Sequence, residues 1–259
     1  MKNYSLEELT VIEASRYLED GKTVFAGTGL PLMTTLLAIK THAPNLCFVC
    51  ETGPISPIVL PTPLSVSDPR LQHRAVRLGS LKEVLANLLQ RGMMDVGFVG
   101  GAEIDQYGNI NSTVIGDYRR PKVRFPGSGG GNDILSHAKR ILIITKHEKK
   151  RFPERCSYIT SPGYVGGGAD GRVKAGLTTS PNPPITIITR LGVMETNPAT
   201  GRFQIVKVMP GSSVETIMAE TGFRPDIADR LEEVKAPSLF ELRTLREEVD
   251  PQGLYMKKV

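Results

Sequence analysis

Hydrophobic and polar positions in the N-terminal part of the chain follow helical and extended periods in turn. Apolar residues recur at helical spacing over 6–20, and Ser5 with Glu8 forms a capping-box pattern at the start. Short apolar runs at 23–26 and 46–50 predict buried strands, with a second helix between them. This α-β-α-β order is typical of an α/β fold with a largely parallel sheet.

The remaining pattern continues the alternation of strands and helices. Five prolines within 54–79 predict a long ordered excursion with little regular structure. Further strands are expected at 95–99, 110–115, 141–145, 185–190 and 203–208, and helices at 81–90, after the glycine cluster 127–133, at 212–221 and at 238–248. Length alone permits one large or two small domains. Without a repeat or a clean boundary, we expect one α/β domain over 1–259, with a single open, mainly parallel sheet flanked by helices.

Composition and charge limit the kinds of molecule that the protein is expected to bind. The chain is 40% hydrophobic and 23% charged, with a net charge of +5, which is ordinary for a globular protein. The densest basic stretch, 146–151, indicates either a solvated surface or a docking surface for an anionic cofactor or a partner. A second basic cluster lies at 119–124. Nucleic acid binding is not expected, since there is no Trp and no aromatic-rich basic face.

Targeting signals and metal motifs are missing from the sequence. The start is polar and acidic, and no apolar run approaches the length of a membrane helix, so we expect a cytoplasmic protein without membrane contact. Cys47 and Cys50 form a CxxC pattern inside an apolar run, without the second ligand pair that a zinc site requires. We therefore expect structural thiols and no metal site.

Two nucleotide-binding motifs are incomplete. Gly21-Lys22-Thr23 resembles the end of a P-loop, but Arg16 stands where the loop needs its first glycine. Gly27-Thr28-Gly29 lacks the third glycine of a dinucleotide fingerprint. Neither a nucleoside triphosphatase nor a Rossmann cofactor site is expected.

The strongest candidate for chemistry is Glu51, which follows the apolar run 46–50 and precedes Thr52-Gly53. Open α/β sheets bind ligands beyond the carboxyl ends of their strands, and a glycine beside the carboxylate leaves room for a substrate. Three further segments combine glycines with polar residues: Gly27–Pro31, Tyr107–Thr113 and Gly127–Asp133. Backbone N–H groups of such loops hold an oxyanion, and a carboxylate facing them suits attack on a thioester carbonyl. For any one loop, the alternative is that its glycines only make a turn.

In combination, these segments resemble the family I CoA-transferases, specifically the small (B) subunit of the glutaconate CoA-transferase type. The resemblance runs over nearly the full length. It also includes the segments 99–106, 115–118, 124–130, 147–152 and 160–163.

The resemblance implies a role for each candidate residue. Glu51 would attack the acyl-CoA, pass through a mixed anhydride and carry CoA as a glutamyl thioester, and Asn111 would help orient it. His147 is a further candidate for contact with the CoA phosphates. The oxyanion-hole and CoA-contacting residues implied by the resemblance are Gly29, Leu30, Gly129, Gly130 and Gly131.

The resemblance also implies partners and substrates. Since the family enzyme contains two homologous halves, we expect a separate A-type subunit, in a heterodimer or a larger complex such as A2B2 or A4B4. The expected substrates are a CoA thioester, namely a short dicarboxylic acyl-CoA, and a carboxylic acid. No tightly bound cofactor is expected. Thr52 and Gly131 depart from the usual family residues, which leaves the acyl substrate open. The alternatives are a decarboxylase or hydrolase acting on a glutaconyl-type or ring-derived CoA thioester, and a non-catalytic binding subunit.

Overall fold

The computed structural model describes residues 3–177 and 182–256. The chain is organised as two compact units, one formed by Met1–Phe98 with Lys235–Val259 and the other by Val99–Val234. The single domain expected over 1–259 stays a prediction. Residues 178–181 of the Gly- and Pro-rich region lie outside the described residues.

The helices and strands are numbered in chain order. The α-helices are α1 Leu6–Ser15, α2 Leu30–Thr41, α3 Gly131–His137, α4 Gly171–Lys174, α5 Val214–Ala219 and α6 Leu239–Arg243. Short 3-10 helices lie at Pro69–Gln72 and Lys149–Arg151, and π-helices at Glu83–Leu89 and Thr244–Val249. The strands are β1 Thr23–Phe25, β2 Cys47–Val49, β3 Pro54–Ile55, β4 Arg77–Leu78, β5 Val96–Phe98, β6 Glu103–Ile104, β7 Ile110–Asn111, β8 Val114–Gly116, β9 Pro121–Arg124, β10 Arg140–Ile144, β11 Ile185–Ile188, β12 Gly192–Thr196, β13 Phe203–Val208 and β14 Asp226–Glu233.

The first unit contains strands in the order β5-β1-β2-β3-β4. The strand β1 pairs in parallel with β2 and β5, in a register that places Phe25 beside Val49 and Gly97. The short strands β3 and β4 are added antiparallel. Because β1 and β2 run in parallel, the loops that follow them leave the same edge of the sheet.

The second unit contains strands in the order β14-β13-β12-β11-β10. The pairs β10–β11 and β13–β14 are parallel, whereas β12 pairs antiparallel with both of its neighbours. Two small antiparallel pairs, β6–β7 and β8–β9, complete the unit. All apolar side chains of β11 and all but Ile144 in β10 are buried, which agrees with the continuous hydrophobic runs in their sequences.

Most elements lie where the sequence pattern predicts them, and the differences have local causes. The helix α1 ends at Ser15, before the predicted end at residue 20. Beyond it, hydrogen bonds join residues three apart, such as Leu18 N–H to Ser15 O, and close a turn. The predicted excursion 54–79 contains the short β3 and β4. Strands β6, β9, β12 and β14 and the short helix α4 were not predicted. The Thr189 hydroxyl accepts hydrogen bonds from the N–H groups of Leu191 and Gly192, which makes a tight turn before β12.

Two bidentate ion pairs join α1 to the C-terminal helices within the first unit. Arg246 Nε and Nη2 lie 2.6 and 3.0 Å from the carboxylate oxygens of Glu8, which is 3% exposed. Arg16 contacts both oxygens of Glu241 at 3.1 Å. Burial raises the pKa of Glu8, but the hydrogen bonds and charge of Arg246, with a backbone bond from Ser5, outweigh it and hold the pKa below 4.5.

Arg246→Ala is expected to lower the free energy of unfolding by about 2 kcal/mol at neutral pH, because it leaves the buried Glu8 carboxylate without its cation. The matched control is Lys40→Ala, which removes an exposed pair with Glu248 at 3.0 Å and should cost less than about 1 kcal/mol. Urea unfolding of the full chain measures both.

The loss of unfolding free energy in Arg246→Ala is expected to depend on pH. The pKa of Glu8 is depressed in the folded protein, so its contribution is complete above its ordinary value of 4.5 and is lost as the pH falls through the folded pKa. The difference in free energy of unfolding between Arg246→Ala and the natural chain should therefore shrink below pH 4.5. A difference that stays constant on acidification would contradict the assignment.

Candidate active site

Glu51 lies in a tight turn at the carboxyl end of β2. The Gly53 N–H donates to Cys50 O at 3.0 Å, which closes a four-residue turn with Glu51 and Thr52 at its centre. The Cys50 N–H donates to Pro54 O at 3.0 Å and joins the two strands of the hairpin. The Glu51 side chain is half-buried, and within residues 3–177 and 182–256 its carboxylate has no hydrogen-bond or ion-pair partner.

The first glycine loop lies at the same edge of the first unit's sheet. It follows β1, which pairs in parallel with β2, and the Ala26 N–H donates to Val49 O at 3.3 Å. Gly29 is the N-cap of α2 with φ +88°, and a Cβ there would meet only Pro31 Cδ, at 3.9 Å. The structure thus brings Glu51 and the Gly29–Leu30 backbone to one edge, on neighbouring parallel strands.

Gly53 serves a purpose that differs from the prediction. It adopts φ +121°, and a Cβ built on it would lie 2.0 Å from Gly79 O. The Gly79 N–H donates to Gly53 O at 3.0 Å, so the two backbones are in direct contact. The glycine is required for this backbone contact and conformation, rather than for leaving room for a substrate.

The cysteines of the CxxC pattern are free thiols. Cys50 is 1% exposed, which agrees with a structural thiol, whereas Cys47 is half-buried and accepts a hydrogen bond from Ser56 Oγ at 3.4 Å. Among the described residues, no group of three or more His, Cys, Asp or Glu side chains is arranged to hold a metal ion. None of the helices in the described part of the chain has the length and apolar character that crossing a membrane requires.

Asn111 belongs to the second unit, where its amide is fully engaged. Its Nδ2 donates to Glu103 Oε2 and to Val114 O, both at 2.7 Å. Its Oδ1 accepts from the N–H groups of Thr113 and Val114 at 3.0 and 3.2 Å. The predicted role in orienting Glu51 stays a prediction, and in this structure every donor and acceptor of the amide is used within its own unit.

A second buried network lies in the turn before β7. Asp105 Oδ1 accepts hydrogen bonds from the N–H groups of Tyr107 and Asn109, and the Asn109 amide also contacts both Asp105 oxygens. Asn109 further donates to Val165 O at 2.8 Å and accepts from Gly163 N–H at 2.9 Å. Burial raises the pKa of Asp105, although these donors act in the opposite direction. The network fixes the turn and anchors the segment around residue 164.

The second glycine loop precedes α3. Gly127 and Gly129 have φ +100° and +50°, and a Cβ on either would meet nothing within 4 Å. At Gly131 a Cβ would come within 3.3 Å of Val99 and 3.4 Å of Ser161 Oγ. The backbone of Gly129 is therefore approachable, whereas Gly131 is packed against other residues.

An open groove of about 790 Å³ lies in the second unit and was not expected from the sequence. Glu103 forms part of its lining at 7% exposure, and three donors (Asn111 Nδ2, Ser157 N–H and Ser157 Oγ) surround its carboxylate. Lys150 and Arg151 contribute positive charge. The other lining residues are Gly100, Gly101, Ala102, Ser112, Ile115, Val123, Phe125 and Pro126. Such a groove suits a flexible ligand with an apolar chain and an anionic group.

Two basic side chains of the second unit, one half-buried and one buried, have structural contacts. His147 lies between the hydroxyls of Thr189 and Thr221, each 3.0 Å from a ring nitrogen, and burial lowers its pKa to about 4. A neutral ring whose two nitrogens already contact hydroxyls is poorly suited to bind a phosphate, so that role stays a prediction. Arg172 is 1% exposed and donates to the carbonyls of Pro162 and Gly163 at 2.8 and 2.9 Å.

The chain is similar to known coenzyme A transferases over most of its length. The family model for coenzyme A transferase matches residues 9–220. The chain is 39% identical to the B subunit of 3-oxoadipate CoA-transferase from Pseudomonas knackmussii over 246 residues, covering 95% of this chain and 94% of that protein. It is 34% identical to the B subunit of glutaconate CoA-transferase from Acidaminococcus fermentans over 259 residues, covering 98% and 96% of the two chains.

A solved structure shows the same fold. The crystal structure of glutaconate coenzyme A-transferase from Acidaminococcus fermentans superposes with a TM-score of 0.91 at 33% identity, covering 100% of this chain and 99% of that chain. This similarity confirms the predicted fold class, an α/β fold with an open, mainly parallel sheet flanked by helices.

Gly53→Ala is expected to lower the free energy of unfolding by about 3 kcal/mol, since the new methyl group overlaps Gly79 O and φ is positive. Gly21→Ala is the matched control: its φ is +72°, but a Cβ there meets nothing within 4 Å, so about 1 kcal/mol is expected. Urea unfolding of the two variants measures the difference. Equal losses would show that conformation alone, without the contact to Gly79, requires the glycine.

Proposed function

This chain belongs to the coenzyme A transferase family, and we propose that it is the B subunit of a heteromeric enzyme that moves CoA between a short dicarboxylic acyl-CoA and a carboxylic acid. The observation that carries the proposal is the position of Glu51. A half-buried carboxylate without a protein partner among the described residues stands in a hydrogen-bonded turn, at the same sheet edge as the half-buried Gly27–Pro31 loop.

The proposed reaction uses Glu51 as a nucleophile. Its carboxylate attacks the thioester carbonyl and displaces the CoA thiolate, which gives a mixed anhydride. The thiolate then attacks the glutamyl carbonyl, releases the first acid as a carboxylate and leaves CoA on Glu51 as a thioester. The acceptor carboxylate repeats the two steps in reverse, so the second acid leaves with CoA and the Glu51 carboxylate is restored.

Backbone N–H groups are proposed to stabilise the oxygen that becomes charged in each step. The predicted candidates are Gly29 and Leu30 in the first unit and Gly129, Gly130 and Gly131 in the second; of these, the Gly131 N–H already donates to Ser128 O at 2.8 Å. Positive φ at Gly29 and Gly129, with no atom closer than 3.9 Å to a Cβ built on either, supports close approach of a ligand to these loops. Asn111 is proposed to help orient Glu51, although its amide forms hydrogen bonds within its own unit in this structure.

The names of the relatives support the proposed substrates and partner. The two relatives are named for 3-oxoadipate and glutaconate, both dicarboxylic acids, and each is named as the B-type member of its enzyme. We therefore propose an A-type partner and a CoA thioester as substrate. A decarboxylase or hydrolase acting on a CoA thioester is the alternative, and the transferase names of these relatives favour transfer.

The test is activity of the complex assembled with its A-type partner. Glu51→Gln should lower kcat/KM by on the order of 10³-fold or more while CoA thioester binding persists, and Glu19→Gln, an exposed acid of the same unit, should leave both unchanged. Formation of a new acyl-CoA from an added carboxylic acid distinguishes transfer from decarboxylation or hydrolysis. Persistent transfer by Glu51→Gln would show that this chain only binds substrate.

The groove of the second unit gives a further expectation for the same complex. Lys150 contributes to its lining, with the side chain 80% exposed, whereas neighbouring Lys149 does not. If the groove holds the phosphate-bearing arm of the thioester, Lys150→Gln should raise KM for acyl-CoA about threefold to fivefold, and Lys149→Gln should not. Steady-state kinetics at low and high salt measure this, and equal effects of the two substitutions would contradict specific contact.

A further inference from the structure

Thr52 connects the turn that carries Glu51 to a distant part of the same unit. Its Oγ1 lies 3.0 Å from Val66 O and 3.3 Å from Cys50 Sγ. Val66 belongs to the irregular segment between β3 and the 3-10 helix Pro69–Gln72. The contact therefore joins the turn after β2 to a point 14 residues further along the chain, within the excursion that follows it.

The directions of these hydrogen bonds follow from the number of protons available. A carbonyl oxygen only accepts, so Thr52 uses its single hydroxyl proton toward Val66. The Thr52 oxygen can then only accept from Cys50, which makes the buried Cys50 thiol the donor. The result is a directed chain, Cys50 S–H to Thr52 O–H to Val66 O, that passes around Glu51.

The side chain of Thr52 contributes little else. The residue is exposed, so its methyl group adds no core packing that would explain it. The next residue, Gly53, is held by its contact with Gly79. Glu51 is thus followed by two fixed residues: Thr52, held by side-chain hydrogen bonds, and Gly53, held by a backbone contact.

We propose that Thr52 is a positioning residue for Glu51: its hydroxyl holds the turn in the conformation from which the carboxylate attacks. The inference rests on the proposed function. A nucleophile loses rate steeply when its position is uncertain by an ångström, so a hydroxyl that fixes the adjacent backbone affects the chemical step more than substrate binding.

The test compares Thr52→Val, which keeps the shape and removes the hydroxyl, with Thr52→Ser, which keeps the hydroxyl. Thr62→Val is the matched control in the same unit, since the Thr62 hydroxyl also donates to a distant carbonyl, Val249 O, at 2.8 Å. In the complex with the A-type partner, the rate at which Glu51 acquires CoA is measured in a single turnover, together with KM.

A second readout does not depend on catalysis. Cys50 is 1% exposed, and loss of its acceptor together with the tie to Val66 should open the turn and expose the thiol. The rate at which iodoacetamide alkylates Cys50 is followed by peptide mass spectrometry in the same complexes.

Thr52→Val is expected to slow formation of the Glu51 adduct about tenfold or more, with KM within about twofold, and to accelerate alkylation of Cys50. Thr52→Ser should restore both values, and Thr62→Val should change neither. Unchanged adduct formation and alkylation in Thr52→Val, or equal effects in Thr62→Val, would overturn the proposal. If the natural complex forms no adduct, the proposed function fails, while the alkylation rates still decide whether Thr52 fixes the turn.

Discussion

The candidate site depends on the direct contact between the backbones of Gly53 and Gly79. No side chain fits between them, because a Cβ on Gly53 would lie 2.0 Å from the Gly79 carbonyl oxygen. The contact allows β4 to lie beside β3 and closes the hairpin that begins at β2. A turn held in this way projects Glu51 from the end of a buried strand without any polar partner for its carboxylate among the described residues. This backbone conformation and close contact are energetically unfavourable for residues that carry a side chain, whereas glycine adopts them readily.

The second unit uses buried polar groups instead of a backbone contact. Asp105, Asn109 and Asn111 are almost fully buried, and their hydrogen bonds to nearby backbone groups fix the loops around β6 and β7. Buried amides and carboxylates are stable only when their partners are in place, so these residues define the loop shape closely. The polar motif at 105–113 thus has a structural explanation that is independent of any contact with substrate.

The sequence predicts much of the fold because local signals agree with the final structure. The Ser5–Glu8 capping box is present, and the apolar runs at β1, β2 and β10 form strands close to their predicted limits. The strand β14 was missed since its residues are mostly exposed and show no apolar alternation. An edge strand of this kind is defined by pairing with β13, a contact that its own sequence does not encode.

The sequence predicts that Glu51 and the Gly27–Pro31 loop follow buried strands, as the structure has them, whereas their catalytic roles stay predictions. The reason for Gly53, the contact of Thr52 with Val66 and the surroundings of His147 depend on residues distant in the chain. The central claim is that Glu51 carries CoA covalently. Its most direct test is mass spectrometry of the Glu51 peptide after the assembled complex is mixed with a dicarboxylic acyl-CoA and treated with borohydride, which reduces a glutamyl thioester to an alcohol. The account predicts the alcohol at Glu51 alone, whereas an unmodified Glu51 in a complex that still transfers CoA would contradict it.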